Sequence, residues 1–182
     1  MTALRTTPGQ TIGPYLGQGL PFPGDNQLVP FGTPGAIRLH GHVYAGDGSV
    51  IPDALVEIWQ ADADGNVAQE AGSFARDGWT FTGWGRTACD RTGEFSFTTV
   101  LPGATGEGKA PFFAVVVFAR GLLDKLFTRI YLPGHPANAA DPLLASLDEG
   151  ERSTLIARAD ETGLRFDIHL QGASETVFLR HG

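Results

Sequence analysis

His40 and His42 stand at i and i+2 of a stretch that alternates apolar and polar residues, so on a β-strand both imidazoles leave from one face. That is how two ring nitrogens can reach a single metal ion. No acidic or thiolate third ligand stands at a recognisable spacing, and Arg38 and Tyr44 share the same side, so a polar strand face is the favoured reading. Asp62-Ala-Asp64-Gly-Asn66 opens like a calcium loop but lacks the bidentate glutamate that completes one; a turn after a strand is expected. Gly103-Ala-Thr-Gly-Glu-Gly108-Lys109 has the spacing of a phosphate-binding loop. Ala110 replaces the magnesium-binding hydroxyl there, and a strand follows instead of a helix N-terminus, so nucleotide binding is not expected. Cys89 has no histidine neighbour in the sequence and reads as a packed thiol.

Arg120 is more suggestive. It closes an apolar run beside Gly121, where a guanidinium at the mouth of a core could grip a carboxylate at two points; a surface ion pair at a strand end explains it equally well. Arg129, between Thr128 and Ile130, reads as structural. No Ser/His/Asp triad or paired carboxylates can be singled out.

The element that Arg120 ends is the run 111–119, P-F-F-A-V-V-V-F-A, too short to span a bilayer and rich in strand-forming valine and phenylalanine. Being apolar on both faces, it should be covered on both. A half-buried strand is expected over 37–44, with Ile37, Leu39, Gly41 and Val43 inward, and a second strand over 54–60. Asp90 to Gly93 reads as a turn before a strand that turns Phe95, Phe97 and Thr99 inward. Further strands are expected over 127–132, over 164–171 with Phe166, Ile168 and Leu170 inward, and over 175–180. Helix is expected only over 141–159, capped by Asp141 with Pro142 in its first turn and split by Gly150. Residues 61–86 form a long aromatic loop region with Phe74, Trp79, Phe81 and Trp84. The fold expected is all-β, a two-sheet β-sandwich of about seven or eight strands with one short helical segment and an extended N-terminal arm.

Residues 1–36 are that arm; residues 37–182 are the sandwich domain. Recurring prolines keep residues 7–15 and 20–24 out of helix and central strand, yet Ile12, Tyr15, Leu16 and Phe22 are larger apolar groups than a free tail carries, so the arm should pack on something. With 182 residues, 42% apolar, one sizeable core is expected. A net charge of −7 without a basic run argues against nucleic-acid or acidic-lipid partners. A single cysteine allows no intrachain disulfide framework, and the N-terminus lacks the pattern of a secretory signal; both point to the cytoplasm.

Several stretches together resemble the intradiol ring-cleaving dioxygenases. These are Thr11-Ile-Gly13-Pro14-Tyr15, the segment 41–60 ending V-E-I-W-Q and followed by A-D, Gly83-Trp-Gly-Arg86-Thr, Phe118-Ala-Arg120-Gly, and Arg165-Phe-Asp-Ile-His-Leu-Gln-Gly172 followed by Glu175-Thr-Val-Phe. The likeness covers nearly the whole chain. It implies a β-sandwich and an enzyme that inserts both atoms of dioxygen into a catechol, here 3,4-dihydroxybenzoate giving a carboxy-muconate in aromatic catabolism. The family's non-haem Fe(III) is held by two tyrosinates and two histidines, hard donors suited to the ferric state.

This chain departs from that pattern at every ligand. Gly65-Asn66 leads to Val67, Pro102-Gly103 leads to Ala104 and Thr105, Phe112 and Ala114 stand at the histidine positions, and Lys109 replaces the arginine before them. Val, Thr, Phe and Ala cannot ligate iron there. The resemblance therefore implies a non-metal-binding α-type subunit whose Fe(III) is bound by the partner β subunit and not by this chain. The two would form αβ protomers in a larger hetero-oligomer, with the substrate pocket near their interface. Thr11, Gly13, Pro14 and Tyr15 of the arm are implied to shape that pocket, and Arg120 to face the substrate carboxylate. The rival expectation is a stand-alone, non-catalytic binding module derived from the family.

Overall fold

A computed structural model describes residues 11–13, 15–69 and 76–180. Among these residues nine strands follow in chain order: β1 (Ala36–Tyr44), β2 (Leu55–Gln60), β3 (Trp84–Ala88), β4 (Glu94–Val100), β5 (Phe112–Phe118), β6 (Leu126–Tyr131), β7 (Arg158–Asp160), β8 (Gly163–Arg165) and β9 (Ile168–His169). They make two sheets. One has the order β4-β1-β8-β7, with β9 continuing beside β1, and the other is the antiparallel β3-β2-β5-β6. Strands β8 and β9 run parallel to β1, and β4 runs antiparallel to it.

The alternation of side chains builds the core between the sheets. Leu39 and Val43 of β1 with Phe95 and Phe97 of β4 meet Val56 and Ile58 of β2 and Phe113, Val115 and Val117 of β5 in one buried cluster. Each of these side chains contributes roughly 1.5–3 kcal/mol by leaving water. A smaller cluster of Ala110, Tyr131, Leu144 and Leu155 lies apart from it. The one-turn helix α2 (Pro142–Ser146) supplies Leu144 to it and α3 (Glu149–Ser153) follows in the chain, while the arm carries α1 (Leu16–Gly19). Before β1, Leu28 is buried, and its N–H donates to Thr98 O of β4 at 2.8 Å. No helix among the described residues is long and apolar enough to cross a membrane.

Four expectations are corrected. The run around β5 is fully covered on one face only; Phe112, Ala114, Val116 and Phe118 on the other are half-buried. Trp84 belongs to a strand, not a loop: β3 pairs with β2 through W-G-R-T-A, whose glycine and mixed side chains hide the two-residue period. The helical stretch breaks at Leu147, where the backbone turns extended and Asp148 opens a new capping box with Glu151; Gly150 lies inside α3, and residues 158–160 form β7. The final pair of strands is also different. Residues 164–171 divide into β8 and β9, with Asp167 Oδ1 accepting from His42 N at 3.0 Å across the break, and residues 175–180 contribute only the bridge of Leu179 to Phe127.

Candidate functional site

The arm and the turn after β5 form one corner. Thr11 Oγ1 accepts from Gly121 N at 2.8 Å and donates to Leu122 O at 3.1 Å, and Ile12 N donates to the same carbonyl at 3.1 Å. Gly121 has φ +90°, a conformation that favours glycine and lets the chain turn sharply under Thr11. Further along, the arm presses on the turn between β1 and β2: a Cβ on Gly17 would lie 3.0 Å from Asp53 O. Asp53 in turn meets Arg120, Nε to Oδ2, at 2.5 Å. The Arg120 side chain is 56% exposed, and Tyr15 is 78% exposed. Of the five residues expected to shape a pocket, Thr11 and Arg120 converge on the 120–122 turn. Gly13 and Tyr15 flank the start of α1, with Gly13 O accepting from Leu16 N at 3.3 Å, and Pro14 lies outside the described residues.

A second locality holds the positions implied for iron. The loops leaving β2 and entering β5 touch: Gly103 N donates to Asp62 O at 2.7 Å, and a Cβ on Gly65 would meet Ala104 O at 2.1 Å. Val67 is 55% exposed. On the outer face of the sheet, Ala114 stands in register between Trp59 of β2 and Arg129 of β6. The Arg129 guanidinium lies 4.0 Å from the centroid of the Phe112 ring and donates from Nη1 to Tyr131 Oη at 3.2 Å. Tyr131 Oη donates to Asp141 Oδ1 at 3.0 Å, and Asp141 also accepts from Leu143 N and Leu144 N as the cap of α2. Burial pushes the Tyr131 hydroxyl up to about 12. Hydrocarbon and a guanidinium occupy the ground where ligands would stand, and among the described residues no group of three or more His, Cys, Asp or Glu could hold a metal ion. This donor set does not fit a ferric ion.

The other chemistry-bearing residues settle into structural roles. His40 is buried, its Nε2 lying 3.1 Å from Asp160 Oδ2 and 2.9 Å from Thr162 Oγ1; His42 Nδ1 lies 3.7 Å from Asp167 Oδ1. The two imidazoles thus face different carboxylates. Asp160 is held down to about 2, chiefly by the Thr162 backbone N–H. Asp62 makes the expected turn, accepting from Asp64 N and Asn66 N at 3.0 and 2.8 Å. Cys89 is buried, and desolvation raises its thiol to about 12. Arg38 pairs with Glu94, and Arg86 meets Glu57 at 2.5 Å. Asp53 and Asp141 carry more of the site than their sequence context suggested. The signal at Asp141 was its place before Pro142; Asp53 follows Pro52 in the segment between β1 and β2, where nothing in the sequence marks it.

A two-sheet sandwich with an arm folded against one strand end defines a class, and similarity to known proteins gives it a name. A family model described as Dioxygenase matches residues 13–116. The chain is 38% identical to a protocatechuate 3,4-dioxygenase alpha chain of Burkholderia cepacia, over 98% of both chains. It is 32% identical to the beta chain from the same organism, over 79% of this chain and 68% of the relative. Among solved structures it matches the dioxygenase domain of a dioxygenase carbohydrate-binding protein fusion from Streptomyces sp. SirexAA-E with a TM-score of 0.60 and 28% identity, covering 81% of this chain and 88% of that one. The chain belongs to the intradiol ring-cleaving dioxygenase family.

Proposed function

We propose that this chain is the α-type, non-metal-binding subunit of a protocatechuate 3,4-dioxygenase, working in the cytoplasm with a β partner that carries the iron. The observation that carries this reading is the pairing of near full-length similarity to an alpha chain with a donor set unsuited to iron. In the assembled enzyme both atoms of dioxygen enter 3,4-dihydroxybenzoate to give 3-carboxy-cis,cis-muconate, and the partner's iron supplies the activation of the catechol. This chain's residues bind and orient. Arg120 faces the substrate carboxylate from the end of β5, and Thr11, Gly13, Pro14 and Tyr15 shape the pocket wall near the αβ interface. On this view the chain divides into an arm, 1–36, packed on its own and the partner subunit, and a sandwich, 37–182. The exposed indoles of Trp59 and Trp79, 42% and 94% exposed, support a surface that a partner covers.

Expression alone and with the β partner tests the reading. The isolated chain is expected to be colourless and inactive. Co-assembly is expected to give a tyrosinate-to-iron visible band and dioxygen uptake with 3,4-dihydroxybenzoate. An iron-loaded, active preparation of the isolated chain would overturn the proposal, and a stable monomer that ignores the partner would favour a stand-alone binding module.

A further inference from the structure

We infer that Asp53 is a positioning residue for carboxylate recognition, fixing Arg120 through its Nε so that the outer fork of the guanidinium is presented to the ligand. This rests on the reading of Arg120 given above. The contact of 2.5 Å is at Nε, the nitrogen nearest the chain, and Arg120 has no other ion-pair partner among the described residues. The Arg120 side chain nevertheless stays 56% exposed, whereas that of Asp53 is only 18% exposed. A half-buried carboxylate therefore holds the inner end of an exposed guanidinium, and the edge formed by its two terminal nitrogens is the one that matches a carboxylate in two-point fashion.

Asp53 is itself held. It lies in the turn between β1 and β2, with Gly17 of the arm packed so closely that a Cβ there would come within 3.0 Å of its carbonyl oxygen. The same arm is tied at Thr11 to Gly121, the residue after Arg120. Arm, Asp53 and Arg120 thus close a ring of contacts, and a side chain carrying roughly 2 kcal/mol of rotamer entropy is ordered before any ligand arrives. The negative charge of Asp53 opposes an incoming anion, so its service to binding is geometric.

The test uses the assembled enzyme, with 3,4-dihydroxybenzoate and with catechol, which lacks the carboxylate. Asp53→Ala is expected to raise KM for 3,4-dihydroxybenzoate about tenfold with kcat within about twofold, and to leave KM for catechol unchanged. Asp53→Asn, which keeps an oxygen acceptor, is expected to restore KM to within about twofold of the parent. Equal KM shifts for both substrates, or no shift where Arg120→Ala raises KM for the carboxylated one, would overturn the role of Asp53. No effect of Arg120→Ala would instead remove the reading beneath it. Where Asp53→Ala fails to assemble, Asp53→Glu moves the carboxylate by one methylene and reads the same split: a rise confined to the carboxylated substrate supports the inference, and unchanged constants overturn it.

Discussion

Arg129 holds its guanidinium 4.0 Å from the centroid of the Phe112 ring, on the outer face of β5 and β6. The same nitrogen fork reaches Tyr131 Oη, so an aromatic, a cation and a buried phenol lock the strand end to the cap of α2 through Asp141. Phe112→Ala should cost about 2 kcal/mol, less than the full cost of a core phenylalanine because the ring is only half-buried. Phe112→Leu keeps most of the apolar contact and loses the π-face, for about 1 kcal/mol. Urea denaturation of the three proteins checks this; equal stability of the leucine variant and the parent would remove the cation–π contribution.

Thr11 is the arm's peg. Thr11→Val keeps the shape of the side chain but removes the acceptor for Gly121 N and the donor to Leu122 O, at about 1 kcal/mol of arm docking. Hydrogen exchange at the Ile12 amide, which bonds Leu122 O, should then quicken by about fivefold, and Thr11→Ser should restore it. An unchanged exchange rate would mean that the arm is held elsewhere.

Much of the sandwich was legible because period-two patterning is a direct consequence of burying one face of a strand. Leu39, Val43, Phe95 and Phe97 announced their direction, and all four are core. What stayed hidden depends on long-range partners. β3 has no alternation of its own and exists because β2 offers it an edge. Leu179 pairs with Phe127 without its neighbours extending the ladder. At the site, Arg120 could be singled out as a charge ending an apolar run. Its partner could not, because Asp53 lies in an ordinary turn and meets Arg120 only once the sheets are folded.

Cys89 should be inert to thiol reagents at pH 8 in the folded protein and react on unfolding, since it is buried and its thiol is raised from 9.0 to about 12 by desolvation. The sign of the linkage follows. A thiol that stays protonated longer in the folded state adds stability that is complete below pH 9 and is lost as pH rises toward 12. Tyr131, raised from 10.0 to about 12, extends the same decline. Denaturation midpoints measured from pH 8 to 11 should fall, and Cys89→Ala should flatten the first part of that fall. A parent protein whose stability is level to pH 11 would contradict both shifts.

Gly41 marks where the fold tolerates no side chain. It lies mid-strand in β1, opposite Phe95, and a Cβ there would sit 1.7 Å from the carbonyl oxygen of Phe166 in the break between β8 and β9. The clash is with backbone, not with the end of a flexible side chain, so Gly41→Ala has to push the C-terminal strands away from β1 or not fold. The loss expected is about 4 kcal/mol or more, at the severe end for one substitution. Gly46→Ala is the comparison: its Cβ would lie 3.0 Å from Gln171 Cβ, a contact relieved by a backbone shift of a few tenths of an ångström, and about 1 kcal/mol is expected. Soluble yield and denaturation midpoint of the two variants decide the matter. Equal behaviour would mean that β1 and the C-terminal strands are not packed as closely as the parallel pairing of Leu39 with Leu164 and Val43 with Ile168 requires.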